Sequence, residues 1–243
     1  MDGRLSYASR LYKRSADCTR SWQASLQATL APTGNRGGTV LAIEDEQWLV
    51  CLFGADGQLA PTDPEGFGAY AASLMNPHIH EITVSAEPLG PVYRYAGLGG
   101  EWHRYDRIRS WPGGLVVLGD ALCALNPLYG HGMTVAALQA ELLARTLDSA
   151  KLPEAGARFQ RRSAGTLRLA WFMSSSLDLG WAGGRSPFAA SLSRRFLHRV
   201  LRRIPEDPAL YRRFLEVQHM LAPPVTLLPL LLRHTAPSRD RSV

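Results

Sequence analysis

The sequence predicts an α+β fold with a mostly antiparallel sheet first, a single strand–loop–helix unit in the middle, and a helical section last. Three observations carry this. Apolar residues alternate with a period of two in several short stretches before residue 110, the pattern of half-buried strands. One apolar run feeds through a glycine-rich loop into a stretch of strong helix formers at 114–148. Beyond residue 151 the strand signals stop, and apolar residues recur at helical spacing. The sections expected are therefore 1–110, 111–150 and 151–243.

Residues 4–12 alternate, with Leu5, Tyr7, Ser9 and Leu11 on one side and Ser6, Ala8 and Arg10 on the other. They read as the first strand. A polar stretch containing Gly and Pro runs to about Gly38. Residues 39–43 and 47–53 then form two strands around Glu44-Asp45-Glu46, a hairpin. Thr62 and Glu65 stand three apart, which predicts a capping box with Thr62 as N-cap of a helix reaching about Met75. Asn76-Pro77 ends it, and a short helix or turn at 78–84 follows. Residues 92–95 and 103–108 are candidate strands on either side of the Gly97–Gly100 turn. Helical spacing covers 155–176, 188–203 and 207–220, with Gly/Pro breaks at 180–187 and 204–208.

Bulk composition sets limits on function. The 243 residues carry a formal charge of +6, unevenly placed. Residues 1–150 hold 11 Lys/Arg against 15 Asp/Glu, whereas 151–243 hold 16 against 6. The basic surplus thus belongs to the helical section, where it reads as a solvated arginine face. No nucleic-acid motif accompanies it, so no nucleic-acid partner is predicted. Three separated cysteines, without a Cys-x-x-Cys, predict neither a metal site nor a disulfide framework. A reducing, cytoplasmic setting fits them, and the first residues carry no apolar signal core. His78 and His80 are the one close histidine pair, and they sit in no metal-binding helix pattern. Gly-x-Ser-x-Gly is absent, and Ser174-Ser175-Ser176 has no flagged base. The apolar tail 221–233 beside arginine-rich helices reads as a helix packed inside, or else as a peripheral membrane contact.

The chemistry lies at 114–137. An apolar strand at 115–118 ends in Gly119-Asp120, and a loop with Asn126-Pro127 and Gly130-His131-Gly132 leads into a helix at 133–148. A carboxylate at a strand end can accept hydrogen bonds from a polyol. Glycines let the backbone approach a flat ligand, and the N–H groups of the helix start favour partial negative charge. His131 reads as lying against such a ligand or pointing to solvent.

This ordered string resembles the second flavin-binding motif of FAD-dependent monooxygenases, the group of p-hydroxybenzoate-hydroxylase-like and epoxidase-like enzymes. The shared elements are Gly119-Asp120-Ala121, Pro127 and Gly130-His131-Gly132, and the version running on to Met133-Thr134 is similar to bacterial epoxidase-like oxidoreductases. Residues 7–12 and the Arg36-Gly37-Gly38 stretch resemble the substrate-side sheet of that family. The resemblance implies that Asp120 holds the ribityl chain of FAD. It also implies that Gly119, Pro127, Gly130, His131, Gly132, Met133 and Thr134 surround the flavin. NAD(P)H would be the reductant, O2 the oxidant, and a hydrophobic small molecule the substrate.

Departures are informative. Leu122 and Cys123 stand where many relatives carry His or Arg, and Met133-Thr134 replace the Asn of most aromatic hydroxylases. No Gly-x-Gly-x-x-Gly occurs anywhere in the chain, so the resemblance implies an incomplete FAD/NAD(P)-binding α/β fold: the C-terminal portion of a truncated family member, with weak or absent FAD binding alone. The rival expectations are a non-catalytic remnant, a partner subunit of a separate N-terminal FAD domain, and a flavin-dependent prenyl reductase. No catalytic acid or base is assigned. Tyr7, Tyr12, Trp48, Tyr93 and Tyr95 are candidates for a pocket lining or plain core, and Arg10 for a charge facing flavin or substrate.

Overall fold

The computed structural model describes residues 4–31, 34–181 and 188–232. The chain divides into two compact units, 1–186 and 187–243. In the first, strands β1 (Leu5–Lys13), β2 (Ala24–Gln27), β3 (Arg36–Ile43), β4 (Gln47–Gly54) and β5 (Tyr93–Leu98) form one sheet in the order β2-β3-β4-β1-β5. Every neighbouring pair is antiparallel. The register of β3 on β4 runs from Arg36 opposite Gly54 to Ile43 opposite Gln47, leaving Glu44-Asp45-Glu46 as the turn. Asp45 and Glu46 both take positive φ, the twist that suits a tight hairpin.

One sheet face is covered by α1 (Pro64–Ala72) and α2 (Pro77–Ser85). Ala8, Tyr12, Val40, Trp48, Val50 and Leu52 point into this layer and meet Phe67, Tyr70, Ile79 and Ile82 from the helices. Arg10 shares the Ala8/Tyr12 side of β1. Its guanidinium donates to the Gly90 carbonyl at 2.8 Å and lies over the Tyr12 ring.

Several expectations are corrected. The N-cap of α1 is Asp63, not Thr62: an Asp63 carboxylate oxygen accepts from Gly66 N–H at 2.6 Å, and Pro64 opens the helix. Proline pre-sets the first helical φ and needs no N–H partner there, which moves the start one residue on. The helix ends at Ala72, and Met75 is exposed. Asn76 caps α2, accepting from His78 N–H at 3.1 Å. Residues 103–108 are not a strand; Tyr105–Arg107 form a 3-10 turn. The ladder there is the two-residue β6 (Glu101–Trp102), paired with β7 (Cys123–Ala124). β2 carries no alternation strong enough to flag it.

Residues 115–118 belong to no ladder among the described residues, although Leu118 has extended torsions. Side chains meet their backbone instead, from α3 (Gly132–Ser149) and α4 (Leu152–Asp178). Gln160 Nε2 donates to Val117 O at 2.8 Å, and Gln139 Oε1 accepts from Gly119 N–H at 2.6 Å. Helix α4 buries Ala155, Phe159, Gln160, Ser163, Leu167, Ala170 and Ser174, a stripe at three- and four-residue spacing.

The second unit contains α5 (Phe188–Arg203), α6 (Pro208–Gln218) and α7 (Leu228–Leu232). Asp207 caps α6 by accepting from Leu210 N–H at 2.9 Å, and Arg203 donates to Leu231 O at 2.7 Å. The apolar tail is not buried as one helix. Ala222 and Leu227 face inward, but Leu221 and Leu232 are 78% and 79% exposed; prolines at 223, 224 and 229 limit it to short turns. No helix among the described residues is long and apolar enough to cross a membrane.

Candidate functional site

The motif of 119–134 folds as three linked pieces. Gly119–Ala121 make a 3-10 turn, Pro127–Tyr129 make a second, and Gly132 starts α3. Asn126 is the pivot. Its side-chain oxygen accepts from Leu128 N–H at 3.0 Å, capping the second turn. Gly119 and Gly130 hold φ of +61° and +68°, a region where a Cβ is strained. Both positions therefore favour glycine.

The folded loop brings the two ends of the motif together. A Cβ built on Gly132 would stand 4.0 Å from a carboxylate oxygen of Asp120. Asp120, Pro127, Gly130, Met133 and Thr134 are exposed, while Gly119 and Gly132 are half-buried. His131 precedes α3 and does not cap it with its side chain. At 3% exposure it does not point to solvent, which removes one of its two expected placements. Cys123 lies beneath the motif, its thiol pushed up to about 12 by burial and by the charge of Asp120.

A residue outside the motif holds it. Asp178, the last residue of α4, is buried, and one of its oxygens accepts from Asn126 Nδ2 at 2.7 Å and from Tyr129 Oη at 3.3 Å. Burial, then the Asp178 charge, raises the Tyr129 pKa. No sequence pattern marks Asp178. The available signal is weak, an acidic residue at the end of an apolar helical stripe where the helix dipole disfavours it.

Beside the loop lies the other sheet face, where Leu5 and Phe53 are buried in a cluster with Ala31, Ala55 and Trp181. A cavity of about 260 Å³ is lined by Tyr7, Leu26, Thr39, Leu41, Leu49, Cys51 and Phe53 from the strands and by Pro127 and Leu128 from the loop. Tyr7 stacks on Tyr95 at 5.2 Å between ring centres. Of the aromatic candidates, Tyr7 lines this cavity, Tyr12 and Trp48 belong to the helix-covered core, and Tyr93 and Tyr95 are largely exposed. Arg10 is on the other face, so it does not reach the cavity.

No family model matches the chain. Protein Rv3254 of Mycobacterium tuberculosis is 34% identical over 146 residues, covering 58% of this chain and 31% of its own length. Klebsiella pneumoniae HpxO, in a variant complexed with FAD, superposes with a TM-score of 0.58 at 13% identity, covering 92% of this chain and 56% of HpxO. PqsL, a probable FAD-dependent monooxygenase from Pseudomonas aeruginosa, superposes with a TM-score of 0.52 at 17% identity, covering 74% and 51%. Over that stretch the fold is flavin-monooxygenase-like. The chain spans about a third of the curated relative and about half of each solved structure.

The motif residues fit the ribityl and flavin end of FAD. The open start of α3 offers N–H groups without a side-chain cap. Asp120 supplies an exposed acceptor for hydroxyls beside it, and Gly132 keeps the gap between them free of a Cβ.

Proposed function

We propose that this chain provides the substrate-side sheet and the second flavin-binding motif of an FAD-dependent oxidoreductase, a monooxygenase or epoxidase acting on a hydrophobic small molecule with NAD(P)H and O2. The observation that carries this reading is the shared cavity: one wall is the sheet face opposite α1 and α2, and the other is the motif loop at Pro127 and Leu128. The HpxO variant complexed with FAD superposes on this chain over 56% of its own length, which supports the assignment of the cofactor.

When bound, the flavin supplies the redox chemistry and O2 activation. The chain's own residues bind and orient. Asp120 accepts hydrogen bonds from the ribityl hydroxyls. Backbone N–H groups of Gly132, Met133 and Thr134 stabilise negative charge through the positive end of α3. Leu41, Leu49 and Phe53 hold an apolar substrate and exclude water from it. The test is a titration with FAD, followed by a visible spectrum after removal of the excess. Retained, shifted flavin bands that are lost in Asp120→Ala support the reading. A folded, colourless wild-type chain counts against a self-sufficient cofactor site.

A second reading, a partner subunit of an FAD domain, has its own support. Residues 115–118 belong to no ladder among the described residues, meet Gln160 at Val117, and expose Leu115 and Leu118. Their backbone offers an edge to a strand from an ADP-binding polypeptide. Co-expression with a polypeptide carrying strand–Gly-x-Gly-x-x-Gly–helix should then give a co-purifying, flavin-loaded complex. Failure to co-purify disfavours it.

A further inference from the structure

We propose, resting on the flavin-oxidoreductase reading above, that the cavity between the sheet and the motif loop selects uncharged apolar substrates and rejects anionic ones. Among the described residues, none that lines it is an acid or a base charged at neutral pH. The polar side chains are Tyr7, Thr39 and Cys51, and the Thr39 hydroxyl already donates to Ser25 O at 3.1 Å. Two cations of the neighbouring strands, Arg10 and Arg36, are turned elsewhere. Arg10 is bound to Gly90 O on the helix-covered side, and Arg36 lies over the Tyr70 ring. An anionic ligand would meet no guanidinium or ammonium among the described lining residues, and it would have to shed water to enter.

The lining itself reports the same penalty. Burial pushes the Cys51 thiol up to about 12. The Tyr7 hydroxyl is raised by burial first, then by Cys51 and Tyr95. A site that resists negative charge on its own groups resists a carboxylate or phenolate for the same reason. The volume of about 260 Å³ lies just below the usual range for ligand cavities, so a compact ring system fits better than an extended chain.

The test uses two probes of nearly equal shape, 2-acetylnaphthalene and 2-naphthoate, titrated into the 243-residue chain by calorimetry. Leu41 and Leu49 face each other across β3 and β4, and their methyl NMR shifts locate the binding. The neutral ketone should bind about tenfold or more tightly than the carboxylate, a difference of at least about 1.4 kcal/mol, and should move both leucine methyls. Leu49→Arg, or independently Leu41→Arg if the first does not fold, should reverse that order by placing a cation in the lining. Equal or tighter binding of naphthoate by the wild-type chain overturns the proposal, as does binding of neither probe. FAD titration in parallel separates the two readings: ketone selectivity without flavin binding leaves the specificity standing while the cofactor reading fails.

Discussion

The Asn126 amide nitrogen and an Asp178 carboxylate oxygen lie 2.7 Å apart, across 52 residues of sequence. The bond ties the centre of the motif loop to the end of a 27-residue helix. The same helix reaches Val117 through Gln160, and its Trp171 ring packs 5.8 Å from that of Trp102. Helix α4 thus braces the segment on both sides of Asp120. A charged acceptor strengthens such a bond, and burial makes its loss costly.

Asp178→Ala should therefore cost about 2–3 kcal/mol, read as a lower urea midpoint with an unchanged slope. Backbone amides at 126–131 should exchange faster with solvent. Asp178→Asn keeps an acceptor and should cost less. An unchanged midpoint in the alanine variant would remove Asp178 from the support of the loop.

Asp120 is exposed, so its role is expected in binding more than in folding. Asp120→Ala should leave the thermal midpoint within a degree or two of wild type, since surface changes cost little. FAD binding should weaken about ten- to a hundredfold, the worth of a charged hydrogen bond. Flavin fluorescence titration measures this.

Gly130→Ala places a Cβ at a φ of +68°. About 1–2 kcal/mol of destabilisation is expected, and Gly119→Ala should behave alike. Calorimetric melts of the two variants against Gly57→Ala, also at positive φ with open space around it, would show whether the penalty is one of backbone alone.

Alkaline pH should unfold the protein early. Burial raises the Cys51 and Cys123 thiols from 9.0 to about 12. Their neutral forms are favoured in the folded state, so that stability is fully present below pH 9 and is lost as pH rises from 9 to 12. Denaturant midpoints across that window should fall, and replacing both cysteines by Ser or Ala should flatten the slope. Cys18, whose pKa is lowered first by a hydrogen bond from the Arg20 backbone, should be the fastest of the three to alkylate at pH 7.

Much of the fold was legible locally. The β3–β4 hairpin followed from two short strands around Glu44-Asp45-Glu46, α3 from its strong helix formers, and α4 from helical spacing. What misled was competition between near-equal local signals. Thr62 and Asp63 both suit an N-cap, and Pro64 decided for Asp63. Residues 103–108 alternate like a strand, yet only Glu101 and Trp102 find a partner in Cys123 and Ala124.

The sequence alone determined the motif: Gly119, Gly130 and the helix after Gly132 are dictated by backbone conformation and propensity, which are local. Tertiary structure alone decided which side of β1 meets the helices. Alternation marks two faces but does not say which is covered, and Ala8 and Tyr12 took the core while Tyr7 was left to the cavity. It alone also brought Asp178 to Asn126, because a buried carboxylate is specified by a distant partner, and no local pattern encodes that distance.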